Sequence, residues 1–124
     1  INAGHESILV FDQNKNYEYI KSEMPPIGIV KYFTESMVKS TTMNLKDKTF
    51  VVYTDGVTEG YLKNGKELEA EGVQKIINNI ENVTPKNIVL SIEKELNWGS
   101  EKLRDDITCM AINIKNTELI KKNK

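Results

Sequence analysis

The stretch from Lys48 to Gly60, Lys-Thr-Phe-Val-Val-Tyr-Thr-Asp-Gly-Val-Thr-Glu-Gly, constrains this chain more than any other. A run of β-branched and aromatic residues stops abruptly at an acid followed by glycine, the pattern of a strand that delivers a carboxylate onto a turn at the rim of a sheet. The other segments read as the setting of this one.

The segments before it are strand-like. Residues 7–11 and 17–20 flank a polar, turn-prone stretch, 12–16, and together read as a β-hairpin. Met24-Pro25-Pro26-Ile27-Gly28 is a stiff loop, because two prolines remove two backbone donors and fix φ. Residues 31–45 are rich in Thr, Val, Tyr and Phe and are assigned to a strand, although their alternation is poor. Residues 44–48 supply a turn into the strand at 49–54.

Beyond Gly60 the period changes. Asn64-Gly65 marks a turn, and from about Glu71 the apolar residues Val73, Ile76, Ile77, Ile80 and Val83 form one helical stripe. A second helix has its cap at Thr84, proline at its first position (Pro85), the face Ile88, Val89, Ile92 and Leu96, and a stop at Gly99. Residues 107–114, Ile-Thr-Cys-Met-Ala-Ile-Asn-Ile, are an apolar strand, and residues 116–124 are a polar tail. Strands, two helices and a closing strand make an α+β domain, with the helices on one face of a mainly antiparallel sheet.

Composition removes several classes of function. The 124 residues suffice for one core, and 17 basic against 18 acidic side chains give no footprint for a nucleic acid or an anionic membrane. No apolar run approaches the roughly 18 residues of a membrane span. The single cysteine, Cys109, cannot form an internal disulfide and fits a reducing, cytoplasmic setting; within an apolar run it reads as an inert core thiol. Trp98 reads as a hydrophobic anchor at a helix end, not a recognition platform.

The chemistry follows from strand pairing. The central strand ends in Asp55 and the last begins at Asp105-Asp106, so antiparallel pairing would gather these acids at one rim. Carboxylates so placed repel unless a cation sits between them. Oxygen donors with no Cys/His cluster favour Mg²⁺ or Mn²⁺ over Zn²⁺, and such an ion suits hydrolysis of a phosphate ester. The same aspartates also fit plain roles as turn formers and helix caps, and on the residues alone both readings stand.

Four motifs, Asn2-Ala3-Gly4-His5, Pro26-Ile27-Gly28, Tyr53-Thr54-Asp55-Gly56-Val57-Thr58-Glu59 and Asp105-Asp106-Ile107-Thr108, occur in the order and approximate spacing of a known family. The chain resembles the SpoIIE/RsbU-type branch of the PPM (PP2C-like) metal-dependent serine/threonine phosphatases from residue 2 to about residue 114. The resemblance implies two stacked antiparallel sheets flanked by helices, and a two-metal Mn²⁺ or Mg²⁺ site at one end. It implies direct attack of a metal-bound water on the phosphorus of a phosphoserine or phosphothreonine. It makes Asp55 and Asp105 the metal ligands, with Asp106 a neighbouring or alternative ligand and Gly56, Glu59 and His5 in supporting positions. By family analogy the substrate is a regulatory phosphoprotein such as an anti-sigma-factor antagonist.

The family's remaining ligands precede the Asn-Ala-Gly-His motif. Residues 1–115 are therefore expected to be the C-terminal part of a PP2C-like phosphatase domain, with residues 116–124 a tail. Alone, such a piece is expected to be inactive and to self-associate through unpaired strand edges and an open apolar face. Two departures from the family are visible. Lys46-Asp47 stands for a frequent Gly-Asp, and Lys66-Glu67-Leu68-Glu69 replaces a Gly-Glu-x-Phe-Gly pattern.

Individual residues carry alternatives. His5, the only histidine, could contact phosphate or shape a turn, the turn being favoured. Arg104 beside the aspartate pair could contact a phosphate or form a rim ion pair worth little, the ion pair being favoured. Glu59 could accept a hydrogen bond at the cation site or cap the turn after Gly56. At the level of the whole chain, the alternative to an enzyme is a non-catalytic partner-binding or sensing module on the same scaffold.

Overall fold

The computed structural model describes residues 1–96 and 105–115. The strands are β1 (Ile8–Phe11), β2 (Tyr17–Ile20), β3 (Lys48–Tyr53) and β4 (Cys109–Ile114), in the order β2-β1-β3-β4 with every pairing antiparallel. Between β3 and β4 come a single helical turn, α1 (Asp55–Thr58), and two longer helices, α2 (Glu69–Asn78) and α3 (Pro85–Glu95). This is the expected α+β architecture. Among the described residues it comprises one four-stranded sheet.

The central strand sorts its side chains by alternation. Thr49, Val51 and Tyr53 are buried towards the helices, and Lys48, Phe50 and Val52 are half-buried on the other side. Leu9, Phe11, Val51 and Tyr53 meet Val57, Leu68, Val73, Ile77, Ile88, Ile92 and Leu96 in the core. That set contains the inward faces of both helices, which is why their stripes were legible. On the reverse face Val10 is fully buried, whereas towards β4 Met110, Ile112 and Ile114 are 50%, 42% and 36% exposed.

Local chemistry fixes the connections. Asp12 turns the β1–β2 hairpin, accepting hydrogen bonds from the backbone N–H groups of Asn14 (2.8 Å) and Asn16 (3.0 Å) and from Asn16 Nδ2 (2.8 Å). The Asn16 side chain and backbone bonds hold its carboxyl below the usual range. Lys15, at φ 60°, points its ammonium at the carbonyls of Ile77 (3.3 Å), Asn78 (2.9 Å) and Ile80 (3.5 Å). The hairpin therefore adds a second cation to that of Lys75 at the end of α2. Thr84 caps α3, its hydroxyl accepting from the Asn87 N–H at 3.1 Å, and Pro85 opens the helix.

Residues 31–45 are not a strand. A 3-10 turn at Glu35–Met37 interrupts them, and most of their side chains, including Tyr32 (77% exposed), lie in solvent. Their β-forming composition is real, but without regular alternation they present no single face for a sheet to bury. Elsewhere the differences are small: α2 starts at Glu69, not near Glu71, and β4 at Cys109, not Ile107. Trp98, the stop at Gly99, Arg104 and the 116–124 tail lie outside the described residues.

Candidate metal-binding rim

The register of β3 and β4 places the aspartates. Tyr53 pairs with Cys109, and beyond it the Thr54 N–H donates to the Thr108 carbonyl at 3.0 Å. The Thr54 side chain then takes over from the ladder. Its hydroxyl accepts from the Thr108 N–H (3.0 Å) and donates to the Asp106 carbonyl (3.1 Å). One residue before Asp55, these bonds fasten the end of β3 to the segment that carries Asp105 and Asp106. Sequence reasoning included Thr54 in the Asp-Gly motif but assigned it no role.

Gly56 has a steric reason to be glycine. A Cβ there would collide with the Asp106 carbonyl, so the two backbones touch only because no side chain intervenes. Asp55 opens α1, and its carbonyl accepts from the Glu59 N–H (2.8 Å) and the Thr58 hydroxyl (3.1 Å). The Asp55 side chain bends back so that Oδ1 accepts from the Gly56 N–H at 2.9 Å, and Asp105 Oδ1 does the same with the Asp106 N–H at 2.7 Å. Each carboxylate is thereby oriented by its own following peptide, and both side chains are exposed.

The first two motifs arrive at the same end of the sheet. Leu9 pairs with Val51 and Phe11 with Thr49, so the start of β1 lies beside the end of β3. Buried Asn2 organises the approach: its Nδ2 donates to the carbonyls of Glu6 (3.1 Å) and Ile20 (3.3 Å), and its Oδ1 accepts from the His5 N–H (3.0 Å). Gly4, at φ 80°, donates its N–H to Ser22 Oγ (2.6 Å), and a side chain on it would run into the Pro26 ring. The Asn-Ala-Gly-His and Pro-Ile-Gly motifs are thus one packed unit. His5 is exposed and its Nδ1 lies 3.1 Å from the Glu6 carbonyl, consistent with the turn-shaping role. Glu59 ends α1 with its side chain in solvent.

Tyr53, immediately before this rim, is buried, and its hydroxyl has no hydrogen-bond partner among the described residues. Burial pushes its phenol up to about 12 and the Cys109 thiol up to about 11. Both stay neutral at physiological pH, which supports reading Cys109 as a core thiol.

The donor set fits a hard divalent ion as far as it extends. Asp55 and Asp105 each engage one carboxylate oxygen with a neighbouring peptide and present hard oxygen donors at a shared edge. Among the described residues, however, no group of three or more His, Cys, Asp or Glu side chains is placed to hold a metal. Asp55 and the Asp105-Asp106 pair share the rim without forming such a group.

Residues 1–115 match the family described as Stage II sporulation protein E (SpoIIE). No curated protein sequence matches the chain. Its structure resembles the phosphatase domain of the cell-fate determinant SpoIIE from Bacillus subtilis, studied after presoaking with Mn, at TM-score 0.58 and 18% identity. The match covers 91% of this chain and 48% of that one, so the chain spans about half of that solved domain.

Proposed function

The chain belongs to the SpoIIE family, and on that premise we propose that it contributes the Asp55/Asp105 corner of a metal-dependent phosphoserine/phosphothreonine phosphatase site. Its fold is that of part of a PP2C-like phosphatase domain. The observation that carries the proposal is the β3–β4 register, which brings Asp55 and the Asp105-Asp106 pair to one rim and fastens them through Thr54.

In this reading Asp55 and Asp105 would hold Mn²⁺ or Mg²⁺ through their carboxylates. A divalent ion there supplies positive charge against the phosphate oxygens and acidifies water for hydrolysis. The chain's own residues do the positioning. Gly56 allows the backbone approach, Thr54 sets the spacing of the two strand ends, and Asp106 offers a neighbouring or alternative carboxylate. The substrate we assign is a phosphorylated regulatory protein of the anti-sigma-factor-antagonist kind. Because no group of three or more potential ligands is placed together among the described residues and the chain spans about half of the solved domain, the 124-residue chain by itself is expected to be inactive.

The test is hydrolysis of a phosphoserine peptide, with Mn²⁺ added, by a protein that joins this chain to the rest of such a domain. Asp55→Asn and Asp105→Asn should each abolish phosphate release while leaving the circular dichroism spectrum unchanged. Near-normal turnover by either variant removes that residue from the site. A wild-type protein that binds the phosphopeptide without turning it over would favour the non-catalytic module.

A further inference from the structure

Helices α2 and α3 share a wall that does not close. Leu68, Gly72, Ile76 and Ile80 recur at every fourth position and form one ridge along α2, in which the glycine leaves a gap. From α3 comes Ser91, a small side chain. The result is a cleft of 340 Å³, a size within the range of small-molecule sites. All of its walls come from residues 62–95, so it is formed within this chain and has no residue in common with the rim of Asp55 and Asp105. Its floor is fixed and apolar. Leu68 is buried, with its N–H donating to the Gly60 carbonyl at 2.9 Å, and Leu62, Ile76 and Ile80 pack half-buried against the core.

The polar groups at this cleft select the ligand. Lys75 and Lys94 both line it, and neither ammonium has a hydrogen-bond or ion-pair partner among the described residues. Glu95 is the one carboxylate there, which leaves an excess of one positive charge. That balance suits a monoanion better than a polyphosphate or a cation. From Gly72 to Ile80 the wall runs about 12 Å at the helical rise, the reach of an extended chain of about eight carbons. We propose that the α2–α3 cleft binds a small monocarboxylic acid with an apolar body, of the medium-chain acyl class. The chain lies on the Leu62, Leu68, Ile76 and Ile80 floor, and the carboxylate faces the two lysines.

Octanoate titrated into the isotopically labelled 124-residue chain should shift the amide signals of Gly72, Ile76 and Ser91 together. Affinity should fall about fourfold for each methylene removed on going down to butanoate. Octylammonium, with the same chain and the opposite charge, should leave these signals in place. Lys75→Gln and Lys94→Gln alter exposed side chains; each should weaken octanoate about two- to fivefold with an unchanged circular dichroism spectrum. Ser91→Leu fills the cleft and should abolish binding. No shift with octanoate, equal binding of octylammonium, or an affinity indifferent to both lysine variants would overturn the proposal. So would an acidic amphipathic peptide that shifts these amides where octanoate does not, since it would give the cleft to a protein partner.

Discussion

Gly56 is where backbone sterics and the proposed chemistry meet. Its missing Cβ lets the turn after Asp55 rest on the Asp106 carbonyl, and nothing in that contact can yield as a flexible side chain would. Gly56→Ala should therefore cost about 1–3 kcal/mol, the usual toll of overpacking, and move the two strand ends apart. Urea unfolding measures the cost, and an unchanged midpoint would show that the contact is looser than the structure has it. The site was only partly legible at this scale. Asp55 and Asp105 stood out because each acid ends or begins an apolar run. Thr54 did not, since its part depends on a carbonyl 52 positions away, and a Thr before an Asp looks like any other turn residue.

At the scale of elements, one backbone irregularity stands out. Glu69, the first residue of α2, holds φ 58°, in the left-handed region that favours glycine. A side chain there costs about 1–2 kcal/mol, partly offset by the greater freedom of glycine in the unfolded chain. Glu69→Gly should raise the thermal midpoint, and a lower midpoint would mean that the Glu69 side chain contributes more than its backbone strain costs. The helices and β3 were readable because each buries one periodic face: Val73 and Ile77, Ile88 and Ile92, and Val51 and Tyr53 are all in the core. Residues 31–45 misled because propensity without a buried face does not make a strand. The clip from Lys15 to the end of α2 had no local signal, since it joins residues more than 60 positions apart.

Across the whole molecule, the sheet divides its labour between two faces and one end. One face holds the core under α2 and α3, the other stays apolar and open towards β4, and one end collects the four motifs. The order of elements made the meeting of Asp55 with Asp105-Asp106 legible in the sequence, because antiparallel pairing puts the end of one strand beside the start of its neighbour. The closed unit formed by Asn2, Gly4, Ser22 and Pro26 was not predictable, as its hydrogen bonds run between segments about 20 residues apart. The central claim is that Asp55 and Asp105 act together on one cation, and paramagnetic broadening by Mn²⁺ tests it most directly. In a titration of the isotopically labelled 124-residue chain followed by amide NMR, Asp55, Gly56, Asp105 and Asp106 should broaden first and in step, and Asp55→Asn should weaken the effect at Asp105 and Asp106 as well. Broadening that begins elsewhere, or that leaves Asp105 and Asp106 unaffected by Asp55→Asn, would contradict the shared site.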